Sequence, residues 1–218
     1  MKVFITGMGR SGTSMVTDLL QMCNLYLGNN LLQPRKDNPK GFFEDLEFLA
    51  INKEIFRLNS NGGGGGHKPP KEIKVLPDKL ITKMKQFIDK WPKDKIVGWK
   101  DPRTCITFPM WEKLIQPEKI RIVIVSRPFD EIAQSLKKRH GIKIIDGMNL
   151  CSFYMKSIYE NLGKTKWMQT FFHNYFSPDW INELKGLTEF LGLNLPDNLN
   201  LLKDSIDINL WHHGRNKG

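Results

Sequence analysis

The segment from Lys2 to Cys23 constrains this chain more than any other. Lys2 to Thr6 is short, apolar and β-branched and stops at a glycine, which predicts a buried strand. From Ser11 onward, Met15, Val16, Leu19, Leu20 and Cys23 recur at helical spacing. Between them runs Gly7-Met-Gly-Arg-Ser-Gly-Thr-Ser14, so a glycine-rich turn joins a strand to a helix. Glycines at Gly7, Gly9 and Gly12 let backbone N–H groups turn inward around an anion. The helix N-terminus adds its own N–H groups and a partial positive charge. Ser11, Thr13 and Ser14 supply hydroxyl donors, and Arg10 has the fork that fits phosphate or sulfate oxygens. The bland alternative is a βα turn that merely packs tightly.

The rest of the chain repeats the alternation. Helices are expected over Glu44–Asn59, Asp78–Trp91, Pro128–His140, Met148–Leu162 and Asp179–Leu191. Strands are expected over Ile96–Trp99 and Arg121–Val125, with a further candidate at Trp167–Phe172. This order predicts an α/β fold of the P-loop type: a central parallel sheet with helices on both faces, in a single domain over residues 1–218. The strands around Val3, Val97 and Val123 should lie side by side. Asn61–Pro70 holds five consecutive glycines and a Pro-Pro pair, so it is read as a flexible loop or lid bordering the site. The tail over 194–218 reads as irregular.

Composition narrows the partners. Lys and Arg number 33 against 23 Asp and Glu, a net charge of +10, which favours anionic ligands without choosing among them. Three cysteines without paired spacing argue against a disulfide framework, and no His/Cys cluster has zinc spacing, so no metal is expected. No apolar run approaches membrane-spanning length, and the expected location is cytoplasmic.

Three motifs then fall in order. The Walker A pattern accommodates Gly7 and Gly12, but Thr13 stands where its lysine belongs. Arg10-Ser-Gly-Thr-Ser14 after a strand resembles instead the 5′-phosphosulfate loop of sulfotransferases that use 3′-phosphoadenosine 5′-phosphosulfate (PAPS). Its arginine form is that of the tyrosylprotein and many bacterial members. Ser126-Arg127-Pro128, with Ser135 eight residues after Arg127, resembles the family's 3′-phosphate site. Trp99-Lys100-Asp101-Pro102 resembles its Lys-Asp-Pro segment, whose lysine reaches the phosphosulfate.

The resemblance implies a PAPS-dependent sulfotransferase that releases 3′-phosphoadenosine 5′-phosphate (PAP) and needs no metal. Gly9, Arg10, Ser11, Gly12, Thr13, Ser14, Arg127 and Ser135 would bind the nucleotide, and Arg10 and Lys100 would stabilise the leaving phosphate. The acceptor is not named by the sequence, and neither nucleic acid nor a membrane span is expected. The histidine base of the cytosolic members has no counterpart near Lys100. Glu44, in Gly-Phe-Phe-Glu, is the candidate base, with Asp45, Glu47 and Asp101 as rivals. Arg215 and Lys217 could replace the family's C-terminal 3′-phosphate loop, which is not recognisable here. Two other functions fit parts of the pattern: a P-loop kinase of a nucleotide or small metabolite, with Asp101 as metal carboxylate, and a non-catalytic polyanion-binding protein.

Overall fold

A computed structural model of the chain describes residues 1–35 and 38–206. Four parallel strands, β1 (Lys2–Thr6), β2 (Val97–Lys100), β3 (Ile120–Ser126) and β4 (Lys166–Phe171), form one sheet in the order β2-β1-β3-β4. Val3 pairs with Gly98 on one side and Arg121 on the other, so the three strands expected to be neighbours are neighbours. The motifs at Gly7, Asp101 and Arg127 therefore leave adjacent strands at the same edge. That is the carboxyl edge, where open α/β sheets place their ligands.

Strand alternation sorts the core into two layers. Val3 and Ile5 of β1 and Val123 and Val125 of β3 pack under α1 (Thr13–Met22) and α7 (Trp180–Leu191). Phe4, Ile122 and Ile124 point the other way. They meet α2 (Leu46–Asn59), α3 (Asp78–Asp89), α4 (Thr104–Glu112), α5 (Phe129–His140) and α6 (Ile144–Glu160). An aromatic cluster anchors this second face. Ring centroids lie 4.8 Å apart for Phe48 and Trp111, 5.0 Å for Phe87 and Trp99, and 5.4 Å for Phe4 and Trp99. Each such side chain, fully buried, contributes about 1.5–3 kcal/mol of transfer free energy.

The structure departs from the sequence pattern at four places. α6 begins at Ile144, four residues before the expected Met148. α4 has no amphipathic signature: Thr104 to Phe108 and Trp111 are all buried, and Pro109 lies inside it. Burial on every side stabilises this segment, which weak propensity and a proline would otherwise disfavour. β4 ends in a helical turn over Phe172–Phe176, where a continuous strand to Phe172 was expected. Within the tail read as irregular, Asn200–Lys203 forms α8, and the rest of the tail from 207, with Arg215 and Lys217, lies outside the described residues. Residues 61–70 adopt turns without a regular element. The Gly64 carbonyl accepts from Arg103 Nε at 3.0 Å and the Gly66 carbonyl from the Tyr154 hydroxyl at 2.9 Å.

Candidate active site

The loop after β1 is held by close packing. Gly7 has φ 140°, and a Cβ there would come within 2.3 Å of the Val125 carbonyl oxygen. Arg10 sits at φ 77°, a left-handed conformation that costs a non-glycine residue roughly 1–3 kcal/mol and is concentrated at functional sites. Gly12, at φ 97°, caps α1, and a Cβ on it would lie 2.2 Å from the ring of Phe172. Replacing Gly12 with alanine should therefore displace the loop or the ring. The expected result is a lower melting temperature. An unchanged value would show that the Phe172 contact does not hold the loop.

Arg10 Nε donates to Ser135 Oγ at 2.9 Å, and Arg127 Nη1 donates to the Arg10 carbonyl at 3.3 Å. The loop after β1 and the arginine after β3 thus form one constellation across the sheet edge. The Arg127 side chain is 7% exposed and pairs through Nε with Glu131 Oε2 at 2.8 Å, one helical turn on. Its guanidinium lies 4.6 Å from the Phe172 ring centroid. Burial pulls its pKa below the ordinary arginine value, against the attraction of Glu131, so the cation is incompletely solvated. Arg127 Nη2 and Ser11 Oγ are buried with no hydrogen-bond partner among the described residues. Unmet buried donors cost free energy unless a ligand satisfies them.

Lys100, at the end of β2, is 3% exposed. Its ammonium donates to Glu44 Oε1 at 2.8 Å, to the Phe42 carbonyl at 3.1 Å and to Ser14 Oγ at 3.4 Å. A turn with Gly41 at φ 104° and Phe43 at φ 57° delivers Glu44 to this position, and Leu32 N–H holds the Glu44 carbonyl at 2.8 Å. The rival carboxylates have other partners. Asp45 caps α2, accepting from Glu47 and Phe48 N–H groups at 2.9 Å. Glu47 pairs with Lys90. Asp101 is fully buried: one oxygen accepts from the Arg103 backbone and side chain, the other from Asn52, whose own carbonyl receives Thr107 and Trp111. Asp101 thus ties β2 to α2 and α4.

A cleft of about 350 Å³ joins the loop after β1, Lys100 and Arg127, while Ser11, Asp101 and Ser135 lie outside its lining. Arg10, Thr13, Ser14, Glu44, Lys100 and Arg127 line it, and Phe42, Phe43 and Phe172 give it aromatic walls. Arg35, Lys40, Lys53, Arg103 and Arg139 also border it, while Asp18 and Glu44 are its two acidic residues among those described. The Asp18 carboxylate accepts from Ser205 at 2.6 Å. Three cleft or supporting residues were not singled out in the sequence. Phe172 follows a strand end, the one signal that could have placed it. Glu131 stands four residues after Arg127, the spacing of a helical ion pair. His67 closes the glycine run and reaches the cleft with Gly66. No group of three or more potential metal-ligating side chains occurs among the described residues. Among those residues, no helix is long and apolar enough to cross a membrane.

No protein-family model matches the chain, and no curated protein matches it in sequence. Solved structures do match in fold. STF1, a sulfotransferase of Mycobacterium tuberculosis H37Rv, aligns over 98% of this chain and 73% of its own, with 12% identity and a TM-score of 0.51. The sulfotransferase domain of the olefin synthase from Synechococcus PCC 7002 aligns over 98% and 83%, with 15% identity and a TM-score of 0.52. STF9, a sulfotransferase of Mycobacterium avium, aligns over 98% and 68%, with 10% identity and a TM-score of 0.52. The chain shares its fold with these three proteins.

Proposed function

We propose that this chain, built on the fold of sulfotransferases, transfers the sulfuryl group of PAPS to an acceptor hydroxyl or amine. One observation carries the reading. Arg10 with its loop, Lys100 and Arg127 converge on one cleft, Arg10 reaches Ser135 behind it, and Arg127 Nη2 and, within the loop, Ser11 Oγ are buried with no hydrogen-bond partner among the described residues. Both suit anionic oxygens. The loop from Gly9 to Ser14 would hold the 5′-phosphosulfate, and Arg127 with Ser135 the 3′-phosphate.

Transfer requires the acceptor oxygen to attack sulfur in line while the bond from sulfur to the phosphate oxygen breaks. By analogy with phosphoryl transfer, catalysis is then positioning and neutralisation of charge. Arg10 and the Lys100 ammonium would meet the negative charge that develops on the leaving phosphate. Glu44 would take the acceptor proton, and its 2.8 Å contact sets proton acceptor and cation side by side in the cleft. The kinase alternative is disfavoured because Asp101, its metal carboxylate, has both oxygens engaged in a buried network.

The 3′-phosphate gives a direct test. PAP should bind more tightly than AMP, which lacks that group. Charge-assisted hydrogen bonds are worth about 1.5–3 kcal/mol each, so Arg127→Gln should erase roughly tenfold or more of the preference. Calorimetry giving equal affinities for the two nucleotides in the unaltered protein would refute the assignment.

A further inference from the structure

Glu131 stands in the first turn of α5, where the helix dipole alone favours a carboxylate. An exposed side chain would serve that purpose, yet the Glu131 side chain is 1% exposed. A charge withdrawn this far from water must be paired to persist. Its two oxygens face nitrogen atoms from different parts of the chain. Oε2 accepts from Arg127 Nε at 2.8 Å, and Oε1 lies 3.0 Å from Nε2 of His173, in the helical turn after β4. Glu131 is thus set between the arginine that follows β3 and the turn that carries Phe172.

The contacts of Arg127 show what this placement does. A guanidinium is a rigid plane of donors, so fixing two of its edges fixes the third. Glu131 engages Nε, the Arg10 carbonyl accepts from Nη1 at 3.3 Å, and the Phe172 ring centroid lies 4.6 Å from the guanidinium carbon. Nη2 is what remains, buried with no hydrogen-bond partner among the described residues. We propose, resting on the sulfotransferase reading above, that Glu131 is a positioning residue for Arg127: it aims Nη2 at the 3′-phosphate and so sets the preference for 3′-phosphorylated nucleotides without touching the nucleotide itself. A carboxylate near a phosphate also repels it. Here that carboxylate is already paired with Arg127, while a misdirected hydrogen bond weakens steeply, so aiming outweighs repulsion.

Two variants separate aim from charge, read by calorimetry as the ratio of PAP to AMP affinity. Glu131→Asp keeps the charge and draws the acceptor back from Nε by one methylene. It should lower the ratio roughly tenfold, the value of one charge-assisted contact, with AMP affinity within a few fold of the unaltered protein. Glu131→Gln loses the charge and keeps an oxygen that accepts from Nε, so it should retain most of the preference. In an Arg127→Gln background, Glu131→Asp should cost no further preference. A carboxylate that only stabilises the helix would shift the melting temperature and leave the ratio alone. An undiminished ratio in Glu131→Asp, a ratio lost or raised well beyond a few fold in Glu131→Gln, or additive losses in the double variant would overturn the proposal. An unaltered protein that binds PAP no better than AMP loses the parent reading and this inference with it. One that prefers PAP, and keeps that preference in Glu131→Asp, loses this inference alone.

Discussion

Lys100→Met should cut sulfuryl transfer by roughly 10²–10³-fold, the usual loss when one donor to a developing oxyanion is removed. The side chain keeps its length and loses its charge, so the defect should fall on kcat more than on PAP affinity. A second effect accompanies the first. Lys100 and Glu44 are a buried pair, 3% and 8% exposed, and removing one member of such a pair typically costs about 3–5 kcal/mol of stability. The melting temperature of Lys100→Met should therefore fall. Adding Glu44→Gln to it should restore much of that loss and none of the turnover. A double variant that regained activity would show that Lys100 serves only to neutralise Glu44.

Glu44→Gln should lower turnover by about 10²-fold or more, within the usual range for loss of a positioned base. Nucleotide affinity should stay nearly unchanged, because Glu44 is paired with Lys100, whereas Arg127 is paired with Glu131. Glu44 also anchors Lys100, so a simple rate loss does not identify its role. Exogenous base does. Added formate should restore part of the turnover of Glu44→Ala where Glu44 takes the proton. A variant that formate leaves unchanged would make Glu44 a positioning residue for Lys100. Turnover within a few fold of the unaltered protein would remove Glu44 from the mechanism. Asp101 is a poor substitute in either case, since Arg103 and Asn52 already occupy its oxygens.

The sheet was legible because parallel strands buried on both faces read as short apolar β-branched runs, and three of them run into the motifs singled out in the sequence. That Arg10, Lys100, Arg127 and Ser135 gather at one sheet edge was legible because the first three follow or end strands and the fourth stands at a fixed spacing from Arg127. What contacts them was not. Phe172 reaches Gly12 and Arg127 from the far end of β4, a contact that no local pattern encodes. The Asn52–Asp101–Arg103 network likewise joins separate elements through hydrogen bonds that engage both oxygens of Asp101. The pairing of Lys100 with Glu44 spans 56 positions in sequence. α4 escaped notice because its burial is uniform, and helical periodicity needs a polar face to be seen.

The central claim is that the cleft is built for a 3′-phosphorylated nucleotide handled without metal. Calorimetric titration of the unaltered protein with PAP in excess EDTA, beside ATP with Mg²⁺, tests it without knowledge of the acceptor. The account predicts that PAP binds well in EDTA and that ATP with Mg²⁺ binds at least about tenfold more weakly, the value of one charge-assisted contact to the 3′-phosphate. Tight binding of ATP with Mg²⁺, together with weak or absent binding of PAP, would contradict it and favour a P-loop kinase of a nucleotide or small metabolite.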